Sequence, residues 1–104
     1  MAITPEQRAK LLQLFETLNQ TRNYVYDAYD TGLMVTAKDS VYDLWQQVDT
    51  DEILESETKQ QLIEYLLAAR RGISTAGGSS TEERAGRCLE QLGKVTRYLE
   101  ERLK

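Results

Sequence analysis

Apolar side chains recur along this chain at steps of three and four residues, and no stretch alternates apolar and polar positions as a half-buried strand does. Four segments follow this helical period. The pattern predicts an all-α protein with helices over about 5–31, 37–48, 57–71 and 81–104. We expect a small antiparallel bundle of two long and two short helices, forming a single domain over 1–104.

The first predicted helix begins at a capping box and ends at a glycine. Thr4 precedes Pro5, and Gln7 lies three residues after the cap, a pattern that satisfies the free backbone amides of a helix start. Gly32 can adopt the left-handed conformation that stops a helix. The expected apolar stripe is Leu11, Leu14, Phe15, Leu18, Val25 and Tyr29.

The two short helices are predicted to be separated by a break at 49–56. Thr36 can cap the second helix, Ser56 can cap the third, and Gly72 is expected to end the third. A continuous helix would carry charged residues of the break into the core, where unpaired charges are costly. The expected stripes are Val41, Leu44, Trp45 and Val48, then Leu62, Ile63, Leu66, Leu67 and Ala69.

The last helix follows a glycine- and serine-rich segment, 73–80, which predicts a flexible loop. Ser80 can cap the helix, whose narrow apolar stripe is typical of a coiled-coil strand. The expected stripe is Ala85, Cys88, Leu89, Leu92, Val95, Leu99 and Leu103.

Two glycines, Gly86 and Gly93, lie seven residues apart on one flank of this helix. Each costs up to ~1 kcal/mol relative to alanine in a helix interior, and a close helix crossing would offset that cost. We therefore predict self-association into a homodimer or higher oligomer through Gly86, Gly93, Leu92 and Leu99.

The amino-acid composition argues against an enzyme. The 104 residues include no histidine and one cysteine, Cys88. Without histidine, imidazole cannot activate a nucleophile, and a closed zinc site from this chain alone is out of reach. A single cysteine cannot form an internal disulfide. We expect no catalytic residues, no cofactor and no metal site.

The net charge of −4 is unevenly distributed, and it leaves two alternative functions open. The acidic segment 49–57 partly resembles the acidic pairs that hold magnesium in all-α nucleotide hydrolases, but the next helix offers only Glu64 as a further ligand. The other alternative is nucleic-acid binding by Arg70, Arg71 and the basic side of the last helix. Overall acidity disfavours nucleic acid as a partner.

Six of the eight aromatic residues are tyrosines. Four of them, Tyr24, Tyr42, Tyr65 and Tyr98, fall on or near polar helix faces, where tyrosine is typical of recognition surfaces. They could instead cover seams between helices. We predict that these four bind a protein partner, and that replacing Tyr24, Tyr65 or Tyr98 by alanine removes little core packing.

Arg22 falls inside the apolar stripe of the first helix, so it either extends to solvent or pairs with an acid.

The function that fits best is a non-enzymatic protein–protein interaction module, such as an inhibitor, an adaptor or an assembly subunit. The chain starts without a basic segment followed by an apolar stretch, and no run reaches the ~18 apolar residues of a membrane span. We therefore expect a cytoplasmic protein that does not bind membranes.

Overall fold

Four helices make up the fold of the residues described, 3–74 and 80–104, in a computed structural model. They are α1 (Pro5–Thr31), α2 (Val35–Asp49), α3 (Ser56–Ser74) and α4 (Thr81–Leu103). Each helix packs on the next, and α4 packs back on α1, whereas the backbones of the diagonal pairs stay more than 8 Å apart between Cα atoms among these residues. The helices therefore occupy the corners of a square antiparallel bundle of 45 × 20 × 19 Å. The predicted all-α bundle is confirmed.

One apolar core runs through the bundle, and every helix contributes a stripe at three- and four-residue spacing. In α1 the buried residues are Leu11, Leu14, Leu18, Thr21, Val25 and Ala28. Tyr29 was expected on this stripe, but its side chain is 42% exposed. The reason is the 3.6-residue period: by the last turn the buried positions are 25 and 28, so position 29 has rotated out of the core.

The ends of α1 agree with the sequence. Thr4 Oγ1 accepts the Gln7 backbone N–H at 3.0 Å, and Gln7 Oε1 accepts the Thr4 N–H at 3.1 Å. Gly32 ends the helix with φ +77°. The start of α2 differs, because the helix begins at Val35 and Thr36 is not its cap. Met34 is buried, so packing of the short connection fixes this start without a side-chain cap.

The C-terminal end of α3 corrects two predictions. Gly72 does not stop α3, which continues to Ser74. A Cβ at Gly72 would lie 3.2 Å from Arg87 Cβ and 3.3 Å from the Cys88 nitrogen, so this glycine allows α4 to approach closely. Of the predicted loop 73–80, the first two residues belong to α3 and Ser80 caps α4. Residues 75–79 lie outside the described ranges.

Candidate functional site

The acidic segment 49–57 contains an ordered connection organised around Asp51. Its carboxylate is buried, and Oδ2 accepts the backbone N–H groups of Ile53 at 2.9 Å and Leu54 at 2.7 Å. Lys10 Nζ lies 3.4 Å from Oδ1, and Lys59 donates to the Asp51 carbonyl at 2.7 Å. This acid therefore ties α1, the connection and α3 together.

The acidic side chains that the magnesium alternative requires do not come together around one point in the described chain. Within 3–74 and 80–104, no group of three or more Asp, Glu, Cys or His side chains is arranged to hold a metal ion. Asp51, which is central to that alternative, is already engaged by Lys10 and two backbone amides.

Three of the predicted partner-binding tyrosines cover seams between helices. Tyr24, Tyr65 and Tyr98 are half-buried and pack against the core. The rings of Tyr65 and Tyr98 meet edge to face at 6.2 Å across α3 and α4. Arg102 donates to the Tyr98 hydroxyl at 3.0 Å, which raises the pKa of the guanidinium. The expectation that these tyrosines contribute little packing is wrong, because all three side chains pack against the core. Their predicted role in binding a partner stays a prediction.

Tyr42 is the most exposed of the four predicted partner-binding tyrosines, at 42%. It belongs to a cation–π cluster on α2 and α3. Its ring lies 5.7 Å from that of Trp45. The Arg70 guanidinium carbon lies 4.7 Å from the Tyr42 ring centroid and 4.8 Å from that of Trp45. The cluster joins α2 to α3 and holds Arg70 in place.

The four residues predicted for self-association separate into two groups. Leu92 and Leu99 are 0% and 1% exposed, so they belong to the core and cannot contact a second copy of the folded bundle. Gly86 and Gly93 are different, because a Cβ added at either would meet nothing within 4 Å. No helix of this chain packs closely over these two glycines among the described residues.

Arg22 pairs with no acid among the described residues, and its side chain is half-buried at the seam between α1 and α4. Its Nη1 donates to Thr96 Oγ1 on α4 at 3.3 Å, a neutral acceptor. Its Nε is buried and has no hydrogen-bond partner among the described residues. The half-buried guanidinium is thus only partly satisfied, which is costly for a charged group.

Cys88 is fully buried in the core. Burial raises the pKa of its thiol from the ordinary 9.0 to about 12. The thiolate is the reactive form, so this cysteine serves as a small apolar core residue.

We expect the Cys88 thiol of the folded protein to react far more slowly with an alkylating reagent at pH 8 than the thiol of the urea-unfolded chain. The raised pKa also means that its contribution to stability is complete below about pH 9 and is lost as pH rises toward about 12. Unfolding free energies of the native protein and the Cys88→Ala variant, compared from pH 7 to 10.5, should converge as pH rises. Equal labelling rates in the folded and unfolded states would contradict this assignment.

The most exposed large apolar residues of the described chain are two that the helical pattern did not single out. Leu33 lies in the α1–α2 connection and Val35 is the first residue of α2; they are 76% and 74% exposed and follow the 42% exposed Tyr29 within six residues. We call Tyr29, Leu33 and Val35 the apolar tip. A signal was present, because large aliphatic residues are unusual in a turn that begins with glycine.

The α3/α4 side bears Arg71 and basic residues of α4 from the nucleic-acid alternative, whereas Arg70 belongs to the cluster with Tyr42 and Trp45. A shallow groove of about 460 Å³ is lined by the bases Arg71 and Arg87 and by the acid Glu90 on α4. A second groove farther along holds Lys94 and Arg97, with Glu101. Each basic pair is therefore accompanied by a carboxylate that would repel phosphate.

None of the helices in the described ranges is long and apolar enough to cross a membrane. Comparisons of this chain with protein-family models, with curated proteins and with solved structures find no match.

Proposed function

We propose that this protein is a non-enzymatic protein-binding module whose main contact surface is the apolar tip. The supporting observation is the exposure of Leu33 and Val35, about three-quarters each, within six residues of the 42% exposed Tyr29. Grouped apolar side chains that remain in water mark binding sites for other proteins. Tyrosine adds a large, rigid contact with a polar end, a common anchor in protein interfaces.

The charges around the apolar tip indicate the chemistry of the partner. Asp27 and Asp30 are exposed near the C-terminal end of α1, whose last turn carries no basic residue. The end of a helix already bears partial negative charge, so acids at this position are unfavourable in the free protein. A partner segment with apolar side chains flanked by lysine or arginine complements both features.

A double variant, Leu33→Ser with Val35→Ser, tests the proposal. The tagged protein is used to capture binding proteins from extracts of its source cells, and the affinity of the captured partner is then measured. Loss of two anchor residues is expected to weaken that affinity at least ~30-fold, since each anchor contributes on the order of 1–2 kcal/mol. Stability should change by less than ~0.5 kcal/mol per site, because both side chains are exposed.

The matched control is Ile53→Ser, an exposed aliphatic residue in the α2–α3 connection. It should leave partner binding unchanged. Equal binding by the double variant would contradict a role for the apolar tip, and loss of capture after nuclease treatment would support the nucleic-acid alternative instead. A second copy of the chain is a further predicted partner. Because Leu92 and Leu99 lie in the core, the contact between two copies must use other residues.

A further inference from the structure

A second stripe of residues follows the outer side of the seam between α1 and α4. Arg22 on α1 donates to Thr96 on α4, so the series that run through these two residues lie side by side. Both series have the three- and four-residue spacing of one helix side. They consist of Leu12, Phe15, Asn19, Arg22 and Tyr26 on α1 and Gly86, Leu89, Gly93 and Thr96 on α4. We call this surface the α1/α4 face.

The α1/α4 face exposes apolar side chains that no other part of 3–74 or 80–104 covers. Leu12 and Tyr26 are 48% and 49% exposed. Phe15 and Leu89 are half-buried and pack against the core from this side. These residues form an apolar band that a second protein surface could cover.

Charged residues lie at both ends of the face. Asp30 follows Tyr26 by four residues and Glu82 precedes Gly86 by four, so both acids lie at the end where α1 stops and α4 starts. At the opposite end of the bundle, Arg8 precedes Leu12 by four, the acid Glu100 follows Thr96 by four, and Lys104 comes directly after α4. These five charged residues are all exposed. One end of the face is therefore acidic, and the other carries two bases and one acid.

The charged residues at the two ends of each helix are equally far from the middle of the face. Asn19 lies midway between Arg8 and Asp30 along α1, and Gly93 lies midway between Glu82 and Lys104 along α4. A two-fold axis that lies in the interface, crosses the helices at right angles and passes the level of Asn19 and Gly93 places α1 against α1 of the second copy and α4 against its α4. The paired helices then run antiparallel. That operation also places Leu12 opposite the other copy's Tyr26, so the exposed apolar residues meet each other.

We propose that the α1/α4 face binds a second copy of this chain, forming an antiparallel two-fold dimer centred on Asn19 and Gly93. Arg8 then meets Asp30 of the other copy, and Glu82 meets its Lys104, each twice by symmetry. A face of this bundle measures 45 × 20 Å, which is at most roughly 900 Å² and close to the ~800 Å² per partner of a standard interface.

One further feature of the face agrees with this arrangement. Gly93 lies at the centre with nothing within 4 Å of an added Cβ, so the two α4 helices can approach each other closely there.

The test is a charge exchange measured by sedimentation equilibrium. The native chain of 11.9 kDa should sediment as a dimer of about 24 kDa at micromolar concentration. One variant carries Asp30→Lys and Glu82→Lys, and another carries Arg8→Glu and Lys104→Glu. Each alone places like charges opposite each other and should dimerise at least ~10-fold more weakly. An equimolar mixture restores all four pairs, so a heterodimer should form with near-native affinity.

The matched control is Asp39→Lys with Asp43→Lys, the same change in charge on the α1/α2 groove. This control should dimerise as the native protein does. The double variant Leu33→Ser with Val35→Ser should also dimerise normally, so failure of the dimer and failure of the proposed partner binding can be told apart. Gly93→Leu should keep the helical fold but weaken the dimer at least ~10-fold. A native protein that sediments at 11.9 kDa up to ~100 µM, or charge variants that dimerise normally by themselves, would overturn the proposal.

Discussion

Replacement of Leu92 by alanine is expected to lower the free energy of unfolding by about 2–5 kcal/mol, the range for a buried leucine whose removal leaves a cavity. Leu92 is 0% exposed and lies in the middle of α4, surrounded by core residues of the other helices. Tight packing there leaves little room for the surroundings to collapse into the space. Urea unfolding followed by far-ultraviolet circular dichroism measures the change.

The control for Leu92 is the same substitution at Leu33, which is 76% exposed and should change stability by less than ~0.5 kcal/mol. The comparison separates two roles for Leu92. A small stability loss in Leu92→Ala combined with a loss of dimer would place this leucine at an interface between copies and would contradict the bundle core described above.

The second large effect is expected at Asp51. Its replacement by alanine removes the acceptor for the N–H groups of Ile53 and Leu54 and the counter-ion of Lys10. We expect a loss of about 2–4 kcal/mol, because buried donors that lose their acceptor are costly and the α2–α3 connection depends on them. The same urea experiment measures it.

Asp49→Ala is the matched control for Asp51, since Asp49 is an exposed acid two residues earlier at the end of α2. It should change stability by less than ~0.5 kcal/mol. If both substitutions had equally small effects, the connection would not depend on the buried carboxylate. A ligand role for the acidic segment would then deserve a new test with magnesium.

The four helices and several of their ends could be predicted from sequence because the signals are local. The capping box at Thr4, the stop at Gly32 and the break after Asp49 each depend on residues within one or two turns. A helix also needs only its own apolar spacing to show which side is buried on average. Four helices, each with one apolar side and joined by short connections, predict an antiparallel bundle.

Other features depended on what a neighbouring helix does. Gly72 has the same local appearance whether it ends α3 or allows α4 to pass at Arg87, and only the packed structure decides between them. The half-buried tyrosines are similar: Tyr65 and Tyr98 lie off their apolar stripes, yet they contact each other across two helices. The position of a residue around its own helix shows the direction in which its side chain points. It does not show where the neighbouring helix lies.

For this protein, the sequence alone determined the fold class, the number of helices and the stripes that form the core, because period and capping are properties of short segments. Only the tertiary structure decided which surfaces stay open. It left Leu33, Val35 and the α1/α4 face outside. The physical reason is that exposure depends on the side chains contributed by distant parts of the chain, and each bundle face is assembled from two helices at once.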